Sequence, residues 1–410
     1  MTTKNNIPAG YKESAVGIIP QEWCVFDFGD IAYVSKEKYT PTKSSHIACV
    51  ELEHLSQGDG VLLEYTEAGL QKSTKNIFKK GSILFGKLRP YLRKYWLATF
   101  EGVCSSEIWV LNTNEEVCIK EYLYRLISSE RFIQFANVSI GSKMPRADWD
   151  FVSLTPFSIP PMAEQRKIAE ILGVWDEAIE KQSRLIEKLE LRKRALMQRL
   201  LTGRTRLPGF TAPWQKVKVG EIGKRIIRRN EENNQNVMTI SAQRGFVRQT
   251  DFFNKNVASE NLDNYYLVYR DEFCYNKSYS NGYPMGAIKR LKEADKAVVT
   301  TLYICFCLNC SVKVDIDFFE QYCENGGFNQ NLMKVANEGG RAHGLLNVTP
   351  SDFFGLQLLL PYLPEQKAIA EVLTSADNEI ATHRKKLDAL RLQKRGLMQQ
   401  LLTGKTRVKI

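Results

Sequence analysis

One stretch of this chain is written twice. "EQRKIAEIL" starts at Glu164 and "EQKAIAEVL" at Glu365, and the copies close on "LMQRLLTGRTR" and "LMQQLLTGKTR". They align without a gap at an offset of 201, with about 22 identities in 48 positions from Pro160/Pro361 to Leu207/Val408. Unrelated segments share far less. Copy one spaces Ile168, Leu172, Trp175, Ile179, Gln182, Ile186, Leu189, Lys193, Leu196 and Leu200 in alternating steps of four and three. Copy two places Ile369, Leu373, Ala376, Ile380, His383, Leu387, Leu390, Lys394, Leu397 and Leu401 on the same steps. That alternation is a coiled-coil seam, narrower than the stripe of a globular helix. Gln182 with His383, and Lys193 with Lys394, put polar residues in the seam, which costs stability and fixes register. Prolines precede each first turn and the glycine of "LLTG" ends each helix. Each helix of about 38 residues is roughly 57 Å long. An apolar seam needs a partner, and the nearest is the other copy in the same chain.

Weaker repetition precedes each helix. "PQEWCVFDFGDI" from Pro20 resembles "TAPWQKVKVGEI" from Thr211. "GSILFGKLRPYL" from Gly81 matches "DEFCYNKSYSNG" from Asp271 as a strand running into a lysine, Lys87 or Lys277. "CSSEIWVL" from Cys104 parallels "VTTLYICF" from Val299. Between these anchors the two regions diverge. Strand-like runs dominate both, with helical stretches such as "IKEYLYRLISSERFIQFAN" from Ile119. The fold expected is α+β: two mixed α/β domains and two long helices forming an intramolecular antiparallel coiled coil, with an internal pseudo-two-fold repeat. The boundaries expected are domain 1 over 1–159, helix 1 over 160–206, domain 2 over 207–360 and helix 2 over 361–410.

At 410 residues the chain is long for a single core. "MTTKNNIPAG" does not read as a signal peptide, and no apolar run is long enough to span a membrane. Nine cysteines are too sparse for a disulfide scaffold, which fits a cytoplasmic setting. Cys305, Cys307 and Cys310 read as small core residues of a strand rather than a metal cluster, because no histidine or second cysteine pair is near in sequence. A net charge of +11 and a pI of about 9.1 point to nucleic acid or a large acidic partner.

"LLTGKTR" imitates the end of a phosphate-binding loop. The glycine that loop needs five residues before Gly404 is Gln399, and a long helix precedes where a strand should. No G-x-G-x-x-G, no G-x-S-x-G, and no "NPP" followed by an aromatic is present; His46, His54, His343 and His383 lack ligand spacing. The chemistry expected is binding without catalysis. "FGKLRPYLRKYW" sets Lys87, Arg89, Arg93 and Lys94 around Tyr91, and "YNKSYSNGY" offers Tyr275, Asn276, Lys277 and Tyr279. Cations hold phosphates or guanine edges, and asparagine reads adenine. "GSKMPRADW" (Lys143, Arg146) and "GGRAHG" (Arg341, His343) are loops that can carry cations to a nucleic-acid backbone. The bland alternative for each single residue is a solvated surface charge.

On these residues, above all the duplicated proline-E-Q-helix-LLTG pattern, the whole chain resembles a type I restriction-modification specificity subunit. The resemblance implies two target-recognition domains held apart by the antiparallel helices, each reading half of a split, asymmetric site in double-stranded DNA. It implies two methylation subunits that carry S-adenosylmethionine, so this chain needs no cofactor of its own. Up to two restriction subunits, using ATP and Mg²⁺, can join them. The competing readings are an enzyme fusing recognition to methylation or cleavage, whose motifs are missing, and a coiled-coil scaffold that binds no DNA, which leaves the basic charge and twin domains unexplained.

Overall fold

Both long helices form where the seam predicts them. In a computed structural model describing residues 7–138, 144–253, 262–309, 314–336 and 346–410, they run Met162–Leu200 and Leu363–Leu402. The chain divides into two compact units, Met1–Ser183 with Lys386–Ile410, and Arg184–Lys385. Each unit therefore takes one globular region and about half of each long helix.

Within each unit the two half-helices are antiparallel. In unit 1, Lys394 Nζ donates to Asp176 Oδ1 at 2.5 Å, and Glu164 at the start of one helix meets Arg407 beyond the end of the other. In unit 2, Lys193 Nζ donates to Asp377 Oδ1 at 2.6 Å and Arg384 to Glu190 at 2.6 Å. The polar seam lysines are thus answered by aspartates on the facing helix. The seam's apolar residues join the domain cores, Ile168, Leu172 and Leu401 in unit 1 and Ile369, Leu373 and Leu200 in unit 2.

The repeated ends of the helices form a reciprocal clasp. Glu164 is fully buried and accepts from Arg407 Nε at 2.8 Å, Arg407 Nη2 at 3.1 Å and Trp23 Nε1 at 2.9 Å. In unit 2, Glu365 accepts from Arg206 Nε at 2.5 Å and Nη2 at 2.6 Å. The neighbouring Gln165 and Gln366 cap the chain from inside, each donating to the proline carbonyl five residues back, at 2.9 and 2.8 Å. Gly203 and Gly404 adopt φ of +70° and +69°, the left-handed turn that sends the arginine back. At Gly404 the contact is close as well, because a Cβ would lie 2.5 Å from Pro20. "TGKTR" is therefore a helix stop followed by a clasp, and Lys405 is exposed.

The domain of unit 1 is built on a four-stranded sheet with the order Tyr95–Leu97, Ile83–Gly86, Ile108–Thr113, Ala32–Val34. Unit 2 repeats that order with Ala287–Arg290, Phe273–Asn276, Ile304–Leu308 and Gly223–Ile226. In both, a strand that opens the domain pairs antiparallel with the strand that enters the long helix: Cys24–Asp27 with Pro156–Ile159, and Gln215–Lys218 with Gln357–Leu360. The helical stretch from Ile119 becomes two helices, Lys120–Ile127 and Glu130–Ala136, because the Ser129 hydroxyl accepts from Phe132 N and starts a second one. The units differ beyond this frame. Unit 1 adds a five-stranded sheet, Lys38–Tyr39, Lys75–Phe78, Gly102–Cys104, Ala48–Val50 and Thr66–Glu67. Unit 2 instead carries two separate pairs, Met238–Ser241 with Gly245–Arg248 and Tyr266–Tyr269 with Lys296–Val299.

Cys305 is buried, Cys307 is half-buried, and Cys310 lies outside the described residues. Among the described residues, no group of histidine, cysteine and acid is placed to hold a metal, and no helix is long and apolar enough to cross a membrane.

Candidate nucleic-acid interface

The strand Ile83–Gly86 delivers Lys87 to the end of the four-stranded sheet, and Phe273–Asn276 delivers Lys277 to the same place in unit 2. The equivalence extends to the backbone. The Lys87 carbonyl accepts from Ala147 N at 2.8 Å and the Lys277 carbonyl from Leu346 N at 3.1 Å. Each donor lies shortly before a short helix, Trp149–Ser153 or Pro350–Gly355. Both lysines are half-buried at their edges.

In unit 1 the returning loop is zipped onto this edge. Arg89 N donates to the Pro145 carbonyl at 2.8 Å, and Leu88 bridges Arg146 antiparallel. Lys87 and Arg146 thereby come together at a cleft of about 650 Å³ that has Trp109, Trp149 and Phe151 in its walls. Arg89 and Arg93 have φ of +52° and +51°, costly for residues with a side chain at about 1–2 kcal/mol each. They bracket the turn Pro90–Leu92 and hold Tyr91 half-exposed at its tip. Such strain, paid for by the surrounding packing, often marks a binding loop.

Other predicted residues are engaged by the protein itself. Arg93 pairs with Glu130, and Lys94 Nζ donates to the Leu52 carbonyl at 2.5 Å. Asn276 donates to the Ile240 carbonyl at 3.2 Å and accepts from Ser278 N at 3.0 Å, which occupies its amide. Tyr275 corrects the sequence reading outright. It is fully buried, donates to the Met285 carbonyl at 2.8 Å and stacks on Phe353 with centroids 5.3 Å apart. Its strand is covered on both faces, so alternation does not bring the tyrosine to the surface. Tyr279 is well exposed beyond it. Lys143, Arg341 and His343 lie outside the described residues.

Sequence reasoning overlooked Glu107. It immediately precedes the strand Ile108–Thr113 and lies next to Lys87, whose amide donates to the Glu107 carbonyl at 2.9 Å, and its carboxylate lies 3.0 Å from Arg146 Nη2. The available signal was an acid at the head of "EIWVL", in the segment that parallels "LYICF" ahead of the second helix.

Residues 20–191 match the family model described as "Type I restriction modification DNA specificity domain". The type I restriction enzyme MjaVIII specificity subunit of Methanocaldococcus jannaschii is 25% identical over 343 residues, 75% of each chain. The EcoDI specificity subunit of Escherichia coli is 27% identical over 179 residues, 42% of this chain and 39% of that one. Among solved structures, one solved in work on the assembly and conformational transition of a type I R-M system aligns with a TM-score of 0.57. It has 18% identity and covers 95% of this chain and 99% of its own. The S subunit of a type I system from M. genitalium aligns with a TM-score of 0.53 at 15% identity, covering 100% and 99%. The frame of duplicated sheets and helices is thus the fold of those solved structures, and residues 20–191 resemble the DNA specificity domain of type I restriction-modification systems.

Proposed function

We propose that the chain recognises double-stranded DNA through its two domains, 1–159 and 207–360, each reading one half of a split asymmetric site. The observation that supports this best is the equivalence of Lys87 and Lys277. One sheet order puts a lysine at one place in both units, while the surrounding strands and loops differ and can read different words. Lys87, Arg89, Tyr91 and Arg146 in unit 1, with Lys277 and Tyr279 in unit 2, are the contacts we favour. Lys143, Arg341 and His343 remain proposed from sequence.

The long helices dock two methylation subunits and set the spacing between half-sites. A repeated surface supports two like partners. Leu126, Phe157 and Leu402 line a groove of about 470 Å³ in unit 1, and the equivalent Tyr322, Leu358 and Leu201 line one of about 460 Å³ in unit 2. S-adenosylmethionine belongs to the methylation subunits, and ATP and Mg²⁺ to restriction subunits that join them in the cytoplasm. The chain itself does not catalyse. Methyl transfer or cleavage by a partner-free preparation would refute that part.

The ruler is tested by deleting one heptad from each helix, Gln182–Lys188 and His383–Ala389. Whole heptads keep the seam in phase. The pair shortens by about 10 Å, or about three base pairs at 3.4 Å each. Sites selected from random duplex, with the methylation partner present, should keep both half-site words and lose spacer. An unchanged spacer in a folded, binding protein overturns the ruler.

A further inference from the structure

We propose that Glu107 is a positioning residue that aims Arg146 at a guanine in the half-site of unit 1; the inference rests on the DNA-reading role above. Arg146 is restrained at both ends. Its backbone is fixed against Leu88 by the flanking bonds from Ala147 N to the Lys87 carbonyl and from Arg89 N to the Pro145 carbonyl. Its guanidinium lies 3.0 Å from Glu107 Oε2, while 56% of its side chain stays exposed. That oxygen is shut off from solvent and accepts no hydrogen bond, so the contact is ionic and off the N–H axis. The Nη2 hydrogens are therefore not aimed at Glu107.

The carboxylate also decides what this arginine suits. A phosphate brought to Arg146 would meet the negative charge of Glu107, whereas a neutral base edge would not. Of the base edges in the major groove, guanine offers the two acceptors, O6 and N7, that arginine matches with two hydrogen bonds. Lys87, on the same edge, has no such carboxylate paired with it among the described ion pairs and is left to serve phosphate or base. The device belongs to unit 1 alone, since the position equivalent to Glu107 in unit 2 is Leu302, 57% exposed.

The test measures binding of the full chain with its methylation partner to the selected site and to each single base-pair change in both half-sites, at two salt concentrations. Arg146→Ala should abolish preference at one position of the unit 1 half-site, and the preferred base there should be guanine. Glu107→Ala should lower that same preference about 5- to 150-fold, the range of one two-bond base contact. Its non-specific affinity and salt slope should hold or rise, because the carboxylate that disfavours phosphate at Arg146 is gone, and its preferences at the other half-site should stay as in the wild type, which also shows that the protein is folded. Glu107→Gln, which keeps an acceptor without the charge, should fall between. Equal weakening on all sequences, an unchanged preference in Glu107→Ala, or a preferred base other than guanine would each overturn the proposal. A wild type without any sequence preference would instead overturn the DNA-reading role itself.

Discussion

The clasp at the helix ends predicts an unequal pair of mutational costs. Glu164 and Glu365 are both nearly inaccessible, with side chains 0% and 3% exposed, and each receives two bonds from an arginine. Removing one partner of a buried ion pair strands the other charge and costs about 3–5 kcal/mol. The two sites differ in what remains. Without Arg407, Glu164 keeps the indole N–H of Trp23 at 2.9 Å. A hydrogen bond to a charged group is worth about 1.5–3 kcal/mol. Without Arg206, Glu365 has no such help, since the equivalent Trp214 Nε1 is buried and donates to nothing. Arg206→Ala should therefore be the more costly change and Arg407→Ala the less costly, the two differing by up to the worth of the Trp23 bond to the buried Glu164, about 1.5–3 kcal/mol. For a unit of this size each kcal/mol lowers Tm by about 2–4 °C.

The assay is thermal and urea unfolding followed by circular dichroism, fitted with one transition per unit. Arg206→Ala should lower the transition of unit 2 further than Arg407→Ala lowers that of unit 1. Adding Glu365→Gln to it should restore most of the loss, because the stranded charge is gone. Trp23→Phe should raise the cost of Arg407→Ala toward that of Arg206→Ala. An Arg407→Ala loss as large as that of Arg206→Ala, or a double variant no more stable than Arg206→Ala alone, would refute the reasoning.

Other consequences can be checked more simply. Lys405→Ala should leave the ATP-dependent activity of the full complex nearly unchanged, because "TGKTR" ends a helix and cradles no phosphate; loss of activity with intact assembly would contradict this. Lys87→Ala should weaken binding by about 1–3 kcal/mol on one base pair if it reads a base, or weaken all sequences alike if it holds phosphate. Competition against scrambled half-sites separates the two, and no change in either would remove the lysine from the interface. Burial pushes the thiols of Cys49 and Cys118 up to about 12, so at pH 8 neither presents thiolate. Iodoacetamide should label exposed Cys24 well before them, as read by peptide mass spectrometry, and early modification of Cys118 would contradict its packing.

The scaffold was legible in the sequence because its rules are local and periodic. The alternating steps of four and three located both helices, the glycine of "LLTG" located their ends, and lysine in the seam announced a partner that the structure supplies as Asp176 and Asp377. The matching anchors around Lys87 and Lys277 were visible because one sheet order preserves them. The interface was legible only in part. Whether a cation in "LRPYLRKYW" faces outward depends on residues distant in sequence, as Glu130 and Leu52 show by engaging Arg93 and Lys94. Tyr275 was named for its place in an aromatic and basic run, which does not reveal exposure, and its strand is covered on both faces. Glu107 was missed because its significance appears only when the 144–147 loop folds back on the strand.

The repeat also carries its own orientation signal. Each copy has an acid at its start, Glu164 or Glu365, and an arginine past its end, Arg206 or Arg407. Within the helix each has an aspartate early and a lysine late in the seam region, Asp176 with Lys193 and Asp377 with Lys394. Laid parallel, the copies would put acid beside acid, lysine beside lysine and arginine beside arginine. Laid antiparallel, every one of those charges meets its opposite, as Lys394 with Asp176 and Arg206 with Glu365 do. The apolar seam is nearly indifferent to direction, because its four-three spacing reads similarly from either end. Charge therefore selects the antiparallel arrangement, and the selection is strongest at the buried glutamates, where an unanswered carboxylate is most costly. Identical copies can meet this demand only by exchange, each supplying the arginine for the other's glutamate. This is a physical reason for the acid, the glycine turn and the arginine to recur together in both copies while the sequence between the domain anchors diverges.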